Sequence, residues 1–302
     1  MPHRRILLVL ALLLLPGVAA AQSCQDAIGA LRAALVSAPL AEVVRLQRSR
    51  VEAVCLGPEA ATAARAVALR HVQEAARRSA PPAATVALLR DGLKFSAEPW
   101  QLHDALGDAL QTSGDYSGAA TSYQLAMNAA RDLARGLAEP PPETLRRMVA
   151  KAQQARMLAP RVIALPVTRD GTPGGLGLRS LRGIEIEAVA QPIHFVTDSA
   201  EPTREGAEAI RQLQELLRAD GVPAITLVGH TDERGSHETN DALSLRRAQR
   251  VAQTLVDAGY PPAQIRVEGR GKRAPFLYVE VPGVRYSQDQ RWQLDRRVEL
   301  VR

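Results

Sequence analysis

Aromatic residues are scarce in this chain of 302 residues, at 3% of the sequence. Binders of single-stranded nucleic acid need rings on which bases stack, so the net charge of +6 is not read as a nucleic-acid signal and no such partner is expected. Cysteine is limited to Cys24 and Cys55, and the histidines flanking Asp232, His230 and His237, fit no zincin spacing. No metal and no cofactor are expected. The glycines and lysine of "GRGKRAP" lack the G-K-[ST] of a phosphate loop and read as a turn at a strand end. Long apolar runs are missing as well. Ile6 to Leu15 is too short for a comfortable bilayer span, and no later stretch reaches the length required, so the mature chain is expected to cross no membrane.

What is present first is an exported N-terminus. His3, Arg4 and Arg5 precede the short apolar run, and "PGVAAAQ" supplies small residues at an A-x-A-like site near Ala21, the pattern of a signal peptide over residues 1–21. In an exported protein an even pair of cysteines favours a disulfide, here Cys24 with Cys55. The rival, a lipid on Cys24, is opposed by Gln22, which stands where a lipoprotein signal wants a small or apolar residue.

Length and an apolar share of 46% suit two folded domains. Residues 22–160 are rich in Ala, Leu and Arg at helical spacing and predict an all-α region. "CQDAIGALRAALVSAPLAEVVRLQRSRVEAVC" reads as two antiparallel helices broken at "SAP", with helices to follow near 60–78, 84–93 and 143–157. "HDALGDALQTSGDYSGAATSYQLAMNAA" resembles a tetratricopeptide repeat: Leu106 and Gly107 in its first helix, Gly114 and Tyr116 in the turn, Ala119, Tyr123 and Ala126 in the second. Such a repeat buries its apolar face only against neighbours. A helical spacer and a groove for a protein partner are equally compatible with it.

Residues 161–183, rich in Gly and Pro, read as a flexible or loosely packed linker. Residues 184–302 then predict a β-α-β-α-β-β sandwich with helices on one face of a mixed sheet: a strand at 184–195, a helix from "EPTREG" to Gly221, strands in "AITLVGH", "QIRVEG" and "RRVELV", and a helix in "NDALSLRRAQRVAQTLVDAG". The fold class is thus α+β in two domains.

The adjacent arginines of that last helix are not equivalent. Leu243, Arg247, Val251 and Leu255 form one row, otherwise apolar, whereas Arg246 and Arg250 fall on the solvated side. Long helical side chains lean toward the helix N-terminus, which carries Arg247 back toward Asp232, just past the preceding strand. Spacing alone supports a structural Asp232–Arg247 pair and a ligand site equally.

The stretch "GHTDERGSHETNDALSLRRAQRVAQTLVDAGYPPAQIRVEGRGKRAP", followed by "DRRVEL", resembles the peptidoglycan-binding domain of the OmpA family over residues 184–302. The resemblance implies non-covalent binding of the diaminopimelate residue of the stem peptide, with Asp232 on its ammonium and Arg247 on its carboxylate. It also implies site positions at Thr197, Asp198 and Arg297, with Arg296 turned to solvent. Asn240 matches the family asparagine before the helix, which the resemblance implies as a further ligand-binding position, and it is also a natural N-cap, so a structural role fits it equally. The chain departs from the family at Asp295, where relatives usually carry asparagine, and in "FLYVEVPGVRYSQDQRWQL".

An enzyme acting on peptidoglycan would need two placed carboxylates, zinc or a cysteine–histidine pair, and none of these signatures is found. The expectation is a non-enzymatic periplasmic, wall-associated protein whose C-terminal domain tethers a helical interaction module to a diaminopimelate-type wall, with association with the outer membrane left open. The alternatives are a periplasmic scaffold in which the acid and base are purely structural and, ranked below it, a peptidoglycan-processing enzyme.

Overall fold

The computed structural model describes residues 16–132, 140–163 and 188–301. The apolar run of the expected signal peptide, most of the expected linker and the first part of the strand expected at 184–195 lie outside the described residues.

The N-terminal region is helical, as its composition predicts. Helix α1 (Pro16–Ser37) turns at Ala38 and Pro39 into α2 (Leu40–Leu46), which continues through a π-helical turn (Gln47–Val51) into α3 (Glu52–Val54). Cys24 and Cys55 are joined by a disulfide across this hairpin. Closing a loop of 31 residues stabilises the fold by about 3–4 kcal/mol in the chain-entropy view. The sulfur that the rival expectation gives to a lipid is committed to Cys55.

Helices α4 (Gly57–Arg77), α5 (Pro82–Leu93), α6 (Trp100–Thr112), α7 (Tyr116–Arg131) and α8 (Pro142–Leu158) follow. Proline sits in the first turn of α4, α5 and α8, where its missing N–H is no loss. The hairpin of α6 and α7 is held by a close approach at Gly107, where a Cβ would run into the fully buried ring of Tyr123. Asp115 caps α7 by accepting from the Gly118 N–H. Leu102, Leu106, Ala119, Tyr123, Met148 and Ala152 share one core.

The C-terminal part alternates β1 (Ala188–Gln191), α9 (Arg204–Ala219), β2 (Ile225–Gly229), α10 (His237–Asp257), β3 (Ile265–Gly269), α11 (Gln288–Asp295) and β4 (Val298–Val301). The sheet order is β1-β4-β2-β3, with β2 and β3 parallel and both pairings of β4 antiparallel. Ile210, Leu213 and Leu217 of α9 and Ala248, Val251 and Leu255 of α10 bury against Leu227, Val298 and Leu300 of the sheet. Each leucine, isoleucine or valine among them contributes about 1.5–3 kcal/mol. The first strand ends earlier than expected, at Gln191. Beyond Gln191 the chain leaves the sheet and touches β structure again only in an isolated bridge between Phe195 and Pro202. Helix α11 is an addition to the expected order; Ser287 and Gln290 close a capping box at its start.

The two halves pack directly against each other. The side chain of Gln154 donates to the Val279 carbonyl and the Tyr286 hydroxyl and accepts from the Val279 N–H. Gln290 donates to Tyr116, Gln293 to the Met157 carbonyl, and Val189 of β1 enters the helical core. A cleft of about 700 Å³ opens at this junction between Arg147 of α8 and residues 278–286.

Candidate functional site

The site is built where β2 ends and α10 begins. A Cβ at Gly229 would collide with the Ser244 carbonyl, so glycine lets the strand end lie directly on the helix. The chain then runs on through backbone bonds from the His230 N–H to the Arg297 carbonyl (2.9 Å) and from the Thr231 N–H to the Gly271 carbonyl (3.0 Å). Ser236 caps α10 by accepting from the Thr239 N–H. This corrects the expectation that Asn240 is the N-cap: the helix starts earlier, and Asn240, buried in its first turn, donates instead to the Arg234 carbonyl at 2.7 Å. It pins the loop that carries Asp232.

Helical spacing places the arginines as expected. Arg246 and Arg250 are exposed, and Arg247 is buried, 3% exposed, in the row of Leu243, Val251 and Leu255. The direct Asp232–Arg247 pair does not form. Arg247 Nε donates to the Ser199 carbonyl at 2.9 Å, and its guanidinium lies over the Phe195 ring at 5.0 Å. Its Nη groups make no hydrogen bond within the described residues. Burial, with the positive charge of Arg296 nearby, pushes the Arg247 pKa down to about 10 against the pull of Asp232 and Asp198.

Asp232, 5% exposed, is engaged by other arginines. Arg234 Nε reaches Oδ1 at 3.1 Å and Arg234 Nη2 reaches Oδ2 at 2.7 Å. Arg296 Nη1 reaches Oδ2 at 2.8 Å, which corrects the expectation that Arg296 faces solvent. Burial raises the Asp232 carboxyl, but the hydrogen bonds from Arg234 and Arg296 outweigh it and hold the group below its ordinary pKa.

Arg297 points elsewhere, as neighbours on an extended chain do. It is buried, donates from Nε to Glu299 Oε1 at 2.7 Å and from Nη2 to the Ala274 carbonyl at 3.2 Å, and lies over Phe276. His230 Nε2 stands 3.2 Å from Glu299 Oε2. Burial pushes Glu299 up, yet the His230 contact and the Arg297 charge bring it to about 2.

Thr197 and Asp198 form the exposed tip of the turn after β1, closed by the Ser199 N–H on the Val196 carbonyl. Asp198 takes a positive φ of 54°, and its charge acts on both Arg247 and Arg234.

Spacing missed the wall supplied by α11. Trp292 Nε1 and Gln288 Nε2 both donate to Glu233 Oε1, and the Arg234 guanidinium stacks on Trp292 at 4.4 Å. The available signals were the D-x-R spacing of Asp232 and Arg234 and the S-x-x-Q capping box. Chemically, the assembled groups offer a buried guanidinium with unused donors beside a carboxylate, a match for a ligand bearing both charges. Among the described residues no group of three or more His, Cys, Asp or Glu is placed to hold a metal ion.

Comparison with known proteins bears on this part of the chain. A peptidoglycan-associated lipoprotein of Pseudomonas aeruginosa is 37% identical over 107 residues, 35% of this chain and 59% of that protein. One from Legionella pneumophila is 38% identical over 84 residues, 28% of this chain and 48% of that protein. The chain thus spans about half the length of these relatives. The crystal structure of the peptidoglycan-associated lipoprotein from Burkholderia pseudomallei is similar at 27% identity and a TM-score of 0.31, covering 38% of this chain and 89% of that one. The model of the OmpA family matches residues 194–287, which hold Asp232, Arg247 and the loops around them, and this part of the chain is an OmpA family domain.

Proposed function

We propose that the chain binds peptidoglycan without covalent chemistry, gripping the diaminopimelate residue of the stem peptide, and so tethers its helical region to the wall of a Gram-negative envelope. The observation that carries this reading is Arg247: a buried guanidinium with no carboxylate partner among the described residues, beside Asp232, inside an OmpA family domain. Relatives matched over the same stretch are named for association with peptidoglycan. Diaminopimelate ends in an ammonium and a carboxylate on one carbon. Arg247 would donate to the carboxylate and Asp232 would accept from the ammonium, each a charge-assisted bond of about twice the strength of a neutral one.

The disulfide and the leader-like N-terminus fit an oxidising compartment, which in this envelope is the periplasm. The helical region, with its repeat-like hairpin, is the module carried to the wall and the place for a protein partner. A second reading, that the acid serves the fold alone, is favoured by the two arginines already bound to Asp232.

Co-sedimentation with purified sacculi separates the two. The parent is expected to pellet with diaminopimelate-type sacculi and to remain largely soluble with lysine-type sacculi, and Asp232→Ala and Arg247→Ala are expected to lose the difference. Equal pelleting of parent and variants would leave the purely structural reading standing.

A further inference from the structure

The acid of the site is not free to receive a ligand. A carboxylate offers about four lone-pair positions. Here Oδ1 takes the backbone N–H of Arg234 at 3.2 Å and its Nε at 3.1 Å, while Oδ2 takes Arg234 Nη2 at 2.7 Å and Arg296 Nη1 at 2.8 Å. An incoming ammonium must therefore displace a guanidinium.

Anchoring decides which one yields. Arg296 closes α11, its N–H bonded to the Trp292 carbonyl, and its side chain is 36% exposed. The Arg234 side chain is 55% exposed, while its backbone carbonyl is held by Asn240 Nδ2. The Arg234 side chain can thus swing away with the loop in place. Its guanidinium already lies on the Trp292 face at 4.4 Å, a contact that does not involve Asp232, and the charges of Asp198 and Asp289 act on the same group.

We propose that Arg234 is an internal competitor for Asp232, a displaceable cation that occupies the ammonium position of the site and sets its affinity. This rests on the diaminopimelate reading. It gives the closed geometry a role: Arg247 stays poised for the ligand carboxylate while Arg234 keeps the acid covered until a cation arrives with that carboxylate. The apparent dissociation constant of such a site is the intrinsic one divided by the fraction of molecules in which Asp232 is uncovered. If Arg234 covers Asp232 in about nine of ten molecules, affinity is reduced about tenfold.

The test is calorimetric titration of the full chain with the soluble tripeptide L-alanyl-D-glutamyl-diaminopimelate, using the parent, Arg234→Gln, Asp232→Asn and the double variant. Arg234→Gln is expected to bind about tenfold tighter. Asp232→Asn is expected to lose most binding, and the double variant to match Asp232→Asn, because Arg234 acts only through the acid. If Asp232→Asn loses binding while Arg234→Gln binds as the parent or more weakly, the competitor is overturned and the diaminopimelate reading stands. A double variant that binds tighter than Asp232→Asn also overturns it. If Asp232→Asn binds as the parent does, the diaminopimelate reading falls and the competitor falls with it.

Discussion

Two arginines are buried in the C-terminal domain to nearly the same depth, Arg247 at 3% and Arg297 at 4% exposure, and they are partnered in opposite ways. Arg297 holds Glu299 through Nε, two backbone carbonyls through its Nη groups, and the Phe276 ring. Arg247 also has a ring beneath it, but its hydrogen bond is to one carbonyl, and burial lowers its pKa to about 10. A buried charge held by a carboxylate and two carbonyls is a part of the fold. One with unused donors is a place for a ligand to fill them.

The strongest way to break this comparison is to remove Arg297. Arg297→Ala leaves the largely buried Glu299 beside His230 without its cation and is expected to destabilise the domain by about 3–5 kcal/mol, read by urea unfolding. A loss below about 1 kcal/mol would mean that the network is not structural.

Acid sharpens the same point. Glu299 has its pKa depressed in the fold to about 2 from 4.5, so its contribution is present above the unfolded value and is lost as pH falls through the folded one. About 3 kcal/mol of stability should disappear between roughly pH 5 and pH 2. In Glu299→Gln the part of the acid transition that comes from this group should be gone, which unfolding curves at stepped pH would record.

Smaller effects belong to the ligand side. Ser236→Ala removes the cap of α10 and should cost about 1 kcal/mol, seen as a lowered melting temperature. Arg247→Met, similar in length and without charge, should change stability by at most about 1 kcal/mol in either direction. A loss as large as that of Arg297→Ala would place Arg247 among the structural groups.

Much of this was legible in the sequence. The row of Leu243, Arg247, Val251 and Leu255 separates Arg247 from Arg246 because helical period fixes which side chains face the sheet. The strands at Ile225–Gly229, Ile265–Gly269 and Val298–Val301 follow from short β-branched segments, apolar in the first and alternating apolar with charged in the second. What period cannot supply is partner choice in loops. Asp232 could be assigned an arginine by spacing, but Arg234 and Arg296 reach it through turns that have no repeat. Helix α11 was hidden because its short segment follows "VPGV", and its capping box was the one local cue. The docking of the two halves runs through glutamines and tyrosines more than a hundred residues apart, a pairing that no local pattern encodes.

The measurement that tests the central claim most directly is co-sedimentation of full-length Arg247→Met with diaminopimelate-type sacculi, paired with its urea unfolding curve. The account predicts a loss of binding of about tenfold or more, with stability close to that of the parent. Undiminished binding of this variant would contradict it, and Arg247 would then be a buried charge with no part in holding the wall.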